Sequence, residues 1–141
     1  MKTTLIQTAV ILSILASPLA IAADDHKHEE HVSQGPNGGH VIRSKAGFTI
    51  EVTVDKERKA RVIFLDKENK AVALGGQSIT GIAGERSAPT KLAFAAGEDA
   101  DANVLISDNA LPSGAHIPMI LSIQTAPDAN AVTERFELHL H

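Results

Sequence analysis

Seven histidines and no cysteine make imidazole and carboxylate the main chemistry available to this chain. His26, His28 and His31 fall within Asp24-Asp25-His26-Lys27-His28-Glu29-Glu30-His31. Such a dense tract of nitrogen and carboxylate donors has a composition associated with metal binding. His139 and His141 stand two apart in a stretch that reads as a strand. Alternate strand residues share a face, so Glu137, His139 and His141 project to one side and Phe136, Leu138 and Leu140 to the other. Two imidazoles so placed can bite one ion at roughly 2.0–2.1 Å from each nitrogen. A third ligand would come from the tract or from Glu137. His40 follows the Gly38-Gly39 turn and His116 follows Ser113-Gly114-Ala115. Both are further candidates, although turn-flanking histidines also serve as plain hydrogen-bond donors.

Donor softness narrows the metal. Thiolates are absent and Met119 lies in a run that reads as core, so Cu(I) has no soft cage. Zn(II), Cu(II), Ni(II) and Co(II) all suit imidazole with carboxylate, and the residues do not choose among them. Calcium is disfavoured, because no loop carries the Asp-rich spacing of an EF-hand. The start of the chain bears on one variant of the site. A mature terminus at Asp24 would put His26 third, in a square-planar arrangement suited to Cu(II) or Ni(II). The small-x-small pattern Ala20-Ile21-Ala22 favours a terminus at Ala23 instead.

The same composition removes other functions. Without cysteine there is no disulfide framework, thiolate nucleophile or iron–sulfur cluster. A net charge of -4 and 3% aromatic residues argue against a nucleic-acid partner. No Gly-x-Ser-x-Gly elbow, HExxH helix or phosphate-binding glycine loop is present. A binding protein is therefore expected rather than an enzyme. The competing expectation is a structural or interaction domain that docks on an envelope partner, with the histidines incidental.

Three segments must carry these residues. Residues 1–22 read as a cleaved signal peptide: Lys2, an apolar stretch from Leu5 to Leu15, the breaker Pro18, then small residues. Pro18 and the acidic Asp24-Asp25 cut the apolar run short of a membrane span. A periplasmic location follows as the expectation, with no membrane span after cleavage. Residues 23–34 are polar and without apolar periodicity, and read as a flexible tail. Residues 35–141 read as an all-β domain beginning at the turn Gly35-Pro36-Asn37-Gly38-Gly39.

Strands are expected over Phe48 to Val54, Ala60 to Leu65, Ala71 to Leu74, Gln77 to Ile82, Lys91 to Ala95, Asn103 to Ser107, Ile117 to Gln124 and Val132 to His141. Ser107 to Leu111 suits one turn of helix. Seven to eight short antiparallel strands with turns between them indicate a small immunoglobulin-like β-sandwich, lacking the Cys-Trp-Cys hallmark.

GPNGGHVI at Gly35 to Ile42, FTIEVTV at Phe48 to Val54, RVIFLDKENKAV at Arg61 to Val72 and SGAHIPMILSIQ at Ser113 to Gln124 together resemble a known domain. It is the N-terminal β-sandwich of heavy-metal efflux periplasmic adaptors of the RND systems. The resemblance covers nearly all of the expected mature chain through short motifs. It implies a free-standing version of that domain, a periplasmic metal carrier or an accessory to an efflux complex. No catalytic residue is carried over by it.

Overall fold

The structure is a computed structural model describing residues 33–141; the expected signal peptide, nearly all of the expected tail, and His26, His28 and His31 lie outside the described residues. Eight antiparallel strands make up the fold: β1 His40–Arg43, β2 Thr49–Val54, β3 Lys59–Leu65, β4 Ser78–Ala83, β5 Thr90–Ala96, β6 Leu105–Ala110, β7 His116–Gln124 and β8 Val132–His139. One short 3-10 turn, Asp99–Asp101, precedes β6. Among the described residues no helix is long and apolar enough to cross a membrane. The all-β expectation holds, and the strands form one continuous sheet in the order β1-β2-β3-β6-β5-β4-β7-β8.

The period-two pattern explains both the strands and the core. In β7 the residues Ile117, Met119, Leu121 and Ile123 are buried, and the residues between them are not. Inward residues from β2 to β8 join one hydrophobic cluster that includes Ile50, Val62, Ile79, Leu92, Leu105 and Leu121. The sheet is therefore curled on itself, sandwich-like in layering and nearly closed. Burial at about 25 cal/mol per Å² of apolar surface is the main force holding it there.

The continuity of the sheet rests on β5. Its first half, Thr90 to Ala93, pairs with β4, and Phe94 to Ala96 pair with β6. Where the second ladder opens, side chains of β6 take over. Asp108 Oδ1 accepts from the Ala93 N–H at 2.9 Å, and Asn109 Nδ2 donates to the Lys91 carbonyl at 3.0 Å. On the other edge of β6, the buried Ser107 Oγ accepts from the Ala60 N–H at 3.0 Å, beside the register shift between Lys59 and Arg61. These residues were expected to suit a helical turn. They form strand instead, because their side chains, besides the local bonds of Ser107 Oγ to the Asn109 carbonyl and of the Asn109 N–H to Asp108, reach the backbone of both neighbouring strands. The expected strand at Ala71 to Leu74 reduces to an isolated bridge between Leu65 and Ala71. His40–Arg43, unassigned by pattern, is β1.

Closure between β1 and β8 is made by side chains. The His40 ring stacks on Phe136 with centroids 5.4 Å apart and planes inclined by 22°. The Ser44 hydroxyl donates to Glu134 at 2.5 Å. Outside β1, Ser33 and Gln34 are held by the Val41 N–H to Ser33 carbonyl bond and the Gln34–His40 bridge. The glycine-rich turn before β1 is built on a carboxylate. Glu51 is fully buried and accepts from the Asn37 N–H at 2.9 Å, Asn37 Nδ2 at 2.8 Å and the Gly39 N–H at 2.8 Å. A Cβ on Gly39 would lie 2.5 Å from the Val52 carbonyl oxygen, so this close approach requires glycine.

Candidate metal centre

The β7–β8 hairpin carries the site. In its ladder His116 lies opposite His139, Ile117 opposite Leu138, and Pro118 opposite Glu137. Ile117 and Leu138 point inward and are 1% and 2% exposed, which anchors this end of the hairpin in the core. Their neighbours His116, Glu137 and His139 consequently stand on the outer face. Directly opposed residues have Cβ atoms about 4.5–5.5 Å apart, a spacing that lets two imidazoles meet. The two rings are in edge contact at a centroid distance of 4.6 Å and an angle of 70°.

Glu137 Oε1 lies 3.1 Å from His116 Nδ1 and 3.1 Å from His139 Nε2. The donor atoms of all three residues fall within 4.8 Å of one another, and this is the group suited to a metal ion among the described residues. Ligands at about 2.0–2.1 Å around a tetrahedral ion are separated by about 3.3 Å. The two donor distances to Glu137 are already close to that value. Small side-chain rotations would convert this close trio, in which His116 Nδ1 is hydrogen-bonded to Glu137, into a two-nitrogen, one-oxygen coordination set. The cluster can hold a metal ion. All three side chains are exposed, so further coordination positions would face solvent and be filled by water.

The partner of His139 is therefore His116, from the adjacent strand, with Glu137 between them. His141 is not part of the group. It lies two residues beyond the end of β8, after the Leu140 N–H to Ala115 carbonyl bond that extends the hairpin. It instead lines a cleft together with His40 and His139. His40 is a buried packing residue, 8% exposed and stacked on Phe136, also outside the cluster. Residue spacing within β8 reveals that Glu137 and His139 share a face, but only the register of β7 against β8 brings in His116. Glu51 was not nominated by pattern at all. Glu51 stands with Thr49 and Thr53 in the polar phase of the alternation, so the pattern gave no sign of its burial.

No family model matches this chain, and neither a curated protein nor a solved structure shows significant similarity to it.

Proposed function

We propose that this protein binds a divalent transition metal, with His116, Glu137 and His139 as ligands, and handles that metal in the periplasm after export behind a cleaved leader. The observation that carries the reading is the convergence of two imidazoles on one carboxylate oxygen, at 3.1 Å each, beside the buried Ile117 and Leu138 that anchor this end of the hairpin. Nitrogen and oxygen donors of this kind suit Zn(II), Cu(II), Ni(II) or Co(II). Three protein ligands leave positions open, so the ion can be handed on by ligand exchange rather than released from a closed cage. The tract His26, His28 and His31 supplies a second set of donors in the same chain. Sequestration, delivery or service as an accessory to heavy-metal efflux is the role that fits. Its link to efflux rests on the resemblance of the Gly35 to Val72 and Ser113 to Gln124 motifs to the adaptor domain. No catalytic step is assigned.

Isothermal titration of the purified protein with each of the four ions tests the proposal. Binding of at least one ion tighter than about 10 μM, about 7 kcal/mol, is expected. Weaker binding of all four contradicts it.

A further inference from the structure

Arg58 stands at a place that does not suit it. It lies in the turn between β2 and β3, Asp55-Lys56-Glu57-Arg58-Lys59, with a left-handed φ of 61°. The chain repeats this turn after β3 as Asp66-Lys67-Glu68-Asn69-Lys70, with Asn69 at a φ of 60°. The bonds are the same in both turns. The aspartate carbonyl accepts from the N–H of Arg58 or Asn69, and the aspartate Oδ1 accepts from the two N–H groups flanking that residue. Asparagine enters the left-handed region readily and arginine does not. The backbone of the turn therefore gives no reason for arginine at 58.

The side chain gives one. Arg58 Nη2 donates to the Pro112 carbonyl at 2.5 Å and to the Gly114 carbonyl at 3.3 Å, and Nε donates to the Leu111 carbonyl at 3.5 Å. The Arg58 carbonyl accepts from the Leu111 N–H at 2.7 Å. Main chain and side chain of one residue thus hold the connection from β6 that delivers His116. Strand pairing supports that end of β7 on one side only. The ladder with β4 stops at Met119, followed by one bond from the Gly84 N–H to the Pro118 carbonyl. Beyond it His116 pairs with β8 alone, on the rung to His139.

We propose that Arg58 is a positioning residue of the His116–Glu137–His139 centre, an assignment that rests on the metal reading of that cluster. Its guanidinium fixes Leu111 to Gly114 and so holds His116 opposite His139. The sign of its effect is distinctive. Removing a cation would by itself favour uptake of a divalent ion, whereas removing the clamp should weaken it.

The test uses the full chain carrying His26→Ala, His28→Ala and His31→Ala, so that the tract adds no binding. Arg58→Asn copies the second turn and removes the guanidinium. Arg58→Lys keeps the charge without the planar fork and decides the matter if Arg58→Asn does not fold. In EDTA, proton NMR of the parent should show cross-relaxation between the His116 and His139 rings, and between Ile117 and Leu138. The variants should lose the first contact and keep the second, which shows that the hairpin is still packed. This readout needs no ion, so a failed metal titration and a failed clamp are distinct results. Titrated with Zn(II), Cu(II), Ni(II) and Co(II), Arg58→Asn should bind the parent's tightest ion about tenfold more weakly, the lower end of what supporting groups around a ligand cost. Arg61→Ala, which removes a guanidinium from its ion pair with Asp101, should change neither readout. Intact ring contact in the folded variants, unchanged affinity in Arg58→Asn where the parent binds, or equal losses in Arg61→Ala would overturn the proposal.

Discussion

His116 and His139 face each other across the last rungs of the β7–β8 ladder, their rings 4.6 Å apart and both directed at one oxygen of Glu137. The pairing makes the two imidazoles equivalent partners in a site, although they come from different strands. It also separates them from His141, which lies beyond the ladder.

Ligand substitution should follow that pairing. His116→Ala and His139→Ala are each expected to weaken metal binding by about 100-fold, the upper end of what even supporting groups of a metal site cost. His141→Ala should change it by less than about threefold. Titrations on the three variants, compared with wild type, decide the order. A larger effect from His141 than from His116 would reverse the assignment.

Acid should release the metal. Both imidazoles and the carboxylate must be unprotonated to bind, so each ion taken up displaces protons. Affinity should fall as pH falls, approaching about a hundredfold per pH unit once both rings are protonated in the free protein. Zinc titrations from mildly alkaline to acidic buffer, run in two buffers of different ionisation enthalpy, give the proton count. A pH-independent affinity would point away from imidazole ligands.

The glycine-rich turn before β1 should depend on Glu51. Glu51→Ala leaves the Asn37 and Gly39 N–H groups without their acceptor in a part-buried turn, at a cost of about 1–3 kcal/mol. Gly39→Ala forces a Cβ against the Val52 carbonyl oxygen and should cost about 1–3 kcal/mol. Urea unfolding measures both. A loss below about 0.5 kcal/mol in Glu51→Ala would mean that the turn is held by other contacts.

Asp108 provides an acid-sensitive element. The Ala93 N–H donated to its carboxylate holds its pKa below the ordinary value; desolvation opposes this, and the Asn109 and Asp108 backbone N–H groups and the Lys59 charge reinforce it. A folded-state pKa below the unfolded one means stability that is present above the unfolded value and lost as pH falls through the folded one. Asp108→Ala should therefore lower Tm at neutral pH, with the gap to wild type narrowing as the carboxyl becomes protonated in strong acid. A gap independent of pH would assign the contribution to packing.

Much of the fold was legible because β2, β7 and β8 alternate apolar and polar residues cleanly against a single core. Short elements were not. Four residues of β1 carry too little period, and Ala71 to Leu74 has apolar character but only one bridge to Leu65. Ser107, Asp108 and Asn109 misled for a chemical reason: the side chains that favour local turns here complete the ladders on both edges of β6. The site was legible by halves. Glu137 and His139 share a face by spacing alone, but the identity of the residue opposite depends on strand register, which no local spacing contains. The continuous sheet has the same origin, since β5 divides its two halves between two neighbours.

The most direct measurement separates the hairpin from the histidine tract. In a variant with His26→Ala, His28→Ala and His31→Ala, titration with Zn(II), Cu(II), Ni(II) and Co(II) reports on the remaining histidines. One equivalent of at least one ion should bind tighter than about 10 μM, and adding His116→Ala to that background should abolish this binding. Loss of all tight binding in the first variant, or its persistence in the second, would contradict a site made of His116, Glu137 and His139.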